Sequence, residues 1–255
     1  MRRREKFVIT SILLSVALMA VQYVSLDWRY FAIAGLMLIS YLISAWALSD
    51  DLQAYEWLTI LPFPALYAGS VALFYFLLPS NVLSQVFILG LFGVGMYALF
   101  LTSNIYSVAK GRTIQLIYAA HAVALFFTLI TSLLYTNTIL SLKFSFWGNA
   151  VLIGISHFPI VFMSLWSIRL EDFINKELVT YSLLLTLFLM EIMMVLSFLP
   201  IPIWYSALFM MGVLYISLGV IHSFLRGRLF ENTANEYRLV AIFIALLFLL
   251  LFPWK

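Results

Sequence analysis

Nine long stretches of this chain hold at most one Asp, Glu, Lys or Arg apiece. They are residues 7–24, 30–48, 57–78, 82–106, 114–135, 148–168, 179–199, 203–225 and 237–252. A helix of about 20 apolar residues crosses a bilayer core of about 30 Å. Inside lipid every backbone polar group must find its partner within the protein, which leaves helices and closed barrels. Barrel strands alternate polar and apolar over about 10 residues, whereas these runs are continuous. The chain is 65% hydrophobic and 10% charged, and soluble domains carry about 25% charge. The expected fold class is all-α: a polytopic integral membrane helical bundle of about nine transmembrane helices. The connections are short, so residues 1–255 are expected to form a single transmembrane domain with no soluble domain.

The first run follows MRRREK. Secretory h-regions span about 7–15 residues and end at a small-x-small site. This run is longer and Leu18 spoils a cut after Ala20, so the first helix is expected to be retained. Nine spans put the termini on opposite sides. With the N-terminus cytoplasmic and the C-terminus outside, Arg29, Lys143 and Lys255 are the outer residues among the 14 Lys and Arg. Arg2, Arg3, Arg4, Lys6, Lys110, Arg112, Arg169, Lys176, Arg226, Arg228 and Arg238 then lie inside, a strong positive-inside asymmetry. Trp28, Trp46, Trp57, Trp147, Trp166, Trp204 and Trp254 fall near span ends, where amphipathic rings meet headgroups. The expected location is a cell membrane, the bacterial cytoplasmic membrane being the best fit. The expected partners are the lipid bilayer and a membrane protein or second copy, with no nucleic acid.

Several chemistries lack their residues. There is no cysteine, hence no thiolate metal site or thiol nucleophile. Asp27, Asp50, Asp51 and Asp172 all lie in connections. No HExxH pair, GxSxG elbow or phosphate-binding loop occurs. A zinc site from His121, His157, His222 and Glu191 has suitable ligand types, but the histidines spread over about 5–15 Å in depth by helical rise. No catalytic, cofactor or metal residue is expected, and a lipid-modifying enzyme is the weakest functional reading.

The sharpest residue is Glu191, alone in VTYSLLLTLFLMEIMMVLSFL. It sits about 3 Å from the middle of its span. A charged side chain at a helix centre costs roughly 2.5–3.5 kcal/mol on insertion scales, so an intramembrane acid is a functional-site hypothesis by default. Its helical neighbours Leu184, Leu187, Phe188, Met194, Val195 and Phe198 are all apolar. That argues against a wet channel and for a buried carboxyl packed against another helix. His157, at about 2 Å from the middle of the preceding span, lies at matching depth and is its expected partner. His121, about 5 Å to the other side of its own span's middle, completes the candidate intramembrane polar site. Ala150, Gly154, His157, Val161 and Ser164 form a stripe of mostly small residues that admits a close neighbour. Pro159 frees the carbonyl of Ile155 and is expected to kink the span.

Gly90, Gly93, Gly95, Gly212 and Gly219 read as close-packing positions. Residues 61–69 (LPFPALYAG) and 199–207 (LPIPIWYSA) share a pattern that an inverted repeat would produce, though proline is also common at helix starts. Residues 136–147 read as an interfacial connection. Charges at 169–177 and 226–238 read as solvated loop clusters with weak ion pairs. Two functions follow. One is a permease or transporter-like protein with Glu191 as coupling acid and His157 as its partner. The other is a non-catalytic membrane subunit or scaffold packed against a partner membrane protein.

Overall fold

The computed structural model describes residues 3–49, 52–78, 81–109 and 115–252. Arg2, Asp50, Asp51, Pro79, Lys110, Arg112, Ile114, Trp254 and Lys255 lie outside the described residues. Helices follow in the order α1 Arg3–Gln22, α2 Arg29–Leu48, α3 Glu56–Thr59, α4 Pro62–Tyr75, α5 Val82–Ala109, α6 Ile117–Ser141, α7 Phe146–Arg169, α8 Lys176–Phe198, α9 Ile203–Leu225 and α10 Glu231–Leu251. Among the described residues, nine segments are long and apolar enough to span a membrane, with α3 and α4 together making one. The protein is a multi-pass helical membrane protein.

Three boundaries differ from the sequence-based expectation. The third span is broken at Ile60 and Leu61, because Pro62 and Pro64 suit a helix start and not a helix interior. The last helix begins at Glu231, so Glu231, Glu236 and Arg238 ride on α10 rather than in a loop. The run 136–147 is not one connection. α6 continues to Ser141, and Thr136, Asn137 and Thr138 are all at most 4% exposed. Their polarity suggested a loop, yet a helix satisfies its own backbone and can bury short polar side chains.

The contacts divide the chain into two compact units, Met1–Phe127 and Thr128–Lys255, with the division inside α6. In the first, α1 packs on α2 and α5, and α2 on α4. Phe7, Ser11, Leu14, Leu18 and Val21 are the inward stripe of α1, spaced three and four apart as a helix face requires. Phe7 stacks on Phe100, and Tyr67 lies between Phe92 and Phe127. A Cβ on Gly95 would collide with the Tyr67 ring.

In the second unit α7 and α8 form the most extensive helix pair, and α9 contacts both. Ser145 caps α7 by accepting from Gly148 N at 3.3 Å, and Asn175 caps α8 by accepting from Glu177 N at 3.1 Å, each satisfying a donor that a helix start leaves open. α7 runs through Pro159 and ends at Leu170, whose φ is +49°. Arg169 reaches Glu171 at 3.6 Å and Glu177 at 3.2 Å. The pair with Glu177 is exposed and that with Glu171 partly so, each worth at most about 1 kcal/mol. Trp28, Trp57, Trp147 and Trp204 are exposed near helix ends, but Trp166 is buried and donates to Glu171 O at 3.1 Å.

Candidate functional site

His157 is the buried centre of the second unit. It lies on the inward stripe of α7 with Asn149, Ala150, Ile153, Ile160 and Val161, and has no exposed surface. Its Nε2 is 2.8 Å from Ser132 Oγ on α6, and its Nδ1 is 3.0 Å from Ser156 Oγ. Ser156 Oγ also meets Leu152 O at 2.8 Å and Ile153 O at 3.2 Å. Each ring nitrogen thus has a serine hydroxyl as its partner, and α6 is tied to α7.

Glu191 is not the partner of His157. It is exposed on α8, a correction to the expected buried carboxyl. The inward stripe of α8 is Ser182, Leu185, Thr186, Leu189, Met193 and Leu196. Glu191 lies two residues beyond Leu189, which at about 100° per residue turns it to the opposite face. Its neighbour Met190 is the one that meets α7. A Cβ on Gly154 would stand 2.7 Å from Met190 Sδ. Around Glu191 the outward face presents Leu184, Leu187, Phe188, Val195 and Phe198, all exposed. Among the described residues Glu191 makes no hydrogen bond or ion pair.

His121 belongs to the first unit, where its ring lies 5.4 Å from that of Tyr106. Sequence reasoning passed over a buried acid in that unit. Glu56 opens α3, is fully buried, and its Oε2 accepts from Gln53 N at 3.0 Å and from Ser107 Oγ at 2.9 Å. It pins the start of the third span to the end of α5. Its place at the end of the polar stretch 49–56, just before the third apolar run, concealed it, because acids there are ordinarily solvated. His222, one turn before the end of α9, lies 3.3 Å from Ser164 Oγ through Nε2.

A second polar locus was also missed. At the end of the second unit where α6 and α8 finish and α7 and α9 begin, a cavity of about 290 Å³ opens. Lys143, Asn149, Ser197 and Ser206 are its polar lining. Asn149 donates through Nδ2 to Ser197 Oγ at 3.1 Å and to Phe144 O at 3.4 Å. Ser197 in turn donates to Met193 O at 2.8 Å, so both Nδ2 partners are acceptors and the amide orientation is fixed. Its Oδ1 is buried with no partner among the described residues. Among those residues, no group of three or more His, Cys, Asp or Glu could hold a metal ion. No protein-family model, curated protein or solved structure matches the chain.

Proposed function

We propose that this protein is a membrane subunit that docks a transmembrane helix of another protein along the outward face of α8, with Glu191 as the polar anchor. The observation that carries this reading is the position of Glu191: a carboxyl on an exposed face otherwise made of Leu184, Leu187, Phe188, Val195 and Phe198. Left against lipid, such a group costs roughly 2.5–3.5 kcal/mol. A basic side chain at the same depth on a partner helix removes that cost and adds a charge-assisted hydrogen bond. A second copy of this chain is the poorer occupant. Every Lys and Arg here lies outside the apolar runs or within their first two residues, so a copy brings no cation to mid-depth.

The test places a photo-crosslinking amino acid at Leu187, on the Glu191 face, and at Leu189, on the packed face, in native membranes. The reading expects a protein adduct from position 187 that disappears in Glu191→Lys. A Lys or Arg in the crosslinked partner helix, changed to Glu, should restore it. Adducts with lipid alone, or with this chain alone, contradict the reading.

A permease-like function is the second reading, and a different observation favours it. Thr131, Thr136, Asn137 and Thr138 of α6 are buried with side-chain atoms lacking partners among the described residues, a run of interior polar groups on one helix. In that reading His157 is the interior polar group, and the coupling-acid role of Glu191 loses its support. Uptake into vesicles that collapses in Asn137→Leu but survives in Glu191→Leu would favour it over docking.

A further inference from the structure

The surroundings of Glu191 constrain more about its partner than the sign of the charge. Its helical neighbours three and four residues away are Leu187, Phe188, Met194 and Val195, and none carries a nitrogen or oxygen in its side chain. Two hydroxyls lie within two turns, and both are engaged elsewhere. Thr186 is buried and donates to Ser182 O at 2.7 Å. Ser197 donates to Met193 O and accepts from Asn149 Nδ2. α7 passes α8 at this level, where Gly154 faces Met190, and the exposed α7 side chains there, Val151 and Ile155, are apolar too. Among the described residues, the carboxylate is therefore the one side-chain acceptor that this face offers within two turns.

A cation brought against it must place all its N–H groups, because a donor left over in lipid is expensive. An ammonium has three donors and a guanidinium has five. Two can meet the two carboxylate oxygens in either case. Lysine is left with one donor to place and arginine with three. The rigid fork and weak hydration of arginine suit a buried pair, but its further donors need further acceptors, and here there are none. The lysine stem also covers apolar surface while its head reaches the acid, and Leu187, Phe188 and Val195 supply that surface.

Depth is constrained as well. Glu191 lies two turns before Phe198, the last residue of α8, which puts it about 10 Å in from that end. On the strength of the docking reading above, on which this rests, we infer that the partner helix presents a lysine rather than an arginine. That lysine lies two turns in from the end beside Phe198, with apolar residues around it.

The test uses the full chain in lipid vesicles with synthetic spanning helices of about 20 residues, leucine at all but one position and uncharged at their ends. The variable position, two turns in, holds lysine, arginine or leucine, and a fourth peptide has its lysine in the first turn. The chain has no cysteine, so a donor dye on Lys176→Cys, exposed at the start of α8, reports association by energy transfer to a labelled peptide. The deeper lysine peptide is expected to bind about tenfold more tightly than the arginine peptide, and Glu191→Gln to reduce it to the all-leucine level. Arginine binding as tightly as lysine, or first-turn lysine as tightly as the deeper one, overturns the inference and leaves docking standing. If neither cationic peptide outbinds all-leucine, or if the lysine preference survives Glu191→Gln, docking through Glu191 fails with it.

Discussion

Ser132 Oγ and His157 Nε2 stand 2.8 Å apart inside the second unit, joining α6 to α7 where neither residue meets solvent. Ser132→Ala removes the partner of Nε2 and leaves a buried ring nitrogen unsatisfied. Interhelical hydrogen bonds in membranes contribute about 0.6 kcal/mol on average and up to about 1.7. Ser132→Ala should destabilise by that order in detergent unfolding. His157→Phe should cost more, because it also strands Ser132 and enlarges a filled site. An unchanged midpoint in both variants would mean the bond contributes nothing.

Glycines separate into packed and open positions. A Cβ at Gly219 would overlap the ring of Tyr237 on α10, while Gly90 has nothing within 4 Å. Gly219→Ala should therefore cost about 1–3 kcal/mol through overpacking and loosen α10 from α9. Gly90→Ala should be neutral or stabilising by up to about 1 kcal/mol, through helix propensity alone. Thermal unfolding of the two variants side by side checks this, and similar losses in both would refute the distinction.

Glu56 is the acid that the fold does need. Removing its carboxylate takes away the acceptor for Gln53 N–H and the Ser107 hydroxyl. Glu56→Ala should destabilise by at least about 1–3 kcal/mol. Glu56→Gln keeps one acceptor oxygen and should lose less. A variant as stable as the parent would show that the carboxyl is not structural.

The spans were legible because lipid imposes one rule on a crossing helix, a long uncharged run, and the rule is local. Which face of a span is packed is not local. α8 is apolar all round, so the hydrophobic pattern carries no direction, and Glu191 read as buried when it is exposed. A weaker signal was present: Ser182 and Thr186 are small polar residues on the packed stripe, where short side chains let helices approach. On α7 the small-residue stripe points inward at Ala150, His157 and Val161, which are fully buried, while Gly154 and Ser164 are half-buried. The end of α6 was misjudged for the opposite reason. Thr136, Asn137 and Thr138 have loop-like composition, and only tertiary burial makes them helix interior. The cavity beside Lys143 could not be read at all, since it is assembled from residues as far apart in sequence as Leu140 and Ser206.

The most direct test of the account is Glu191→Leu, followed by two readings on the same protein. One is the thermal stability of the purified chain, and the other is the crosslink from position 187 in native membranes. The docking account predicts unchanged or higher stability, because among the described residues no group relies on the carboxyl, together with loss of the partner adduct. A variant that unfolds much earlier than the parent, or that keeps the adduct at full yield, would contradict it.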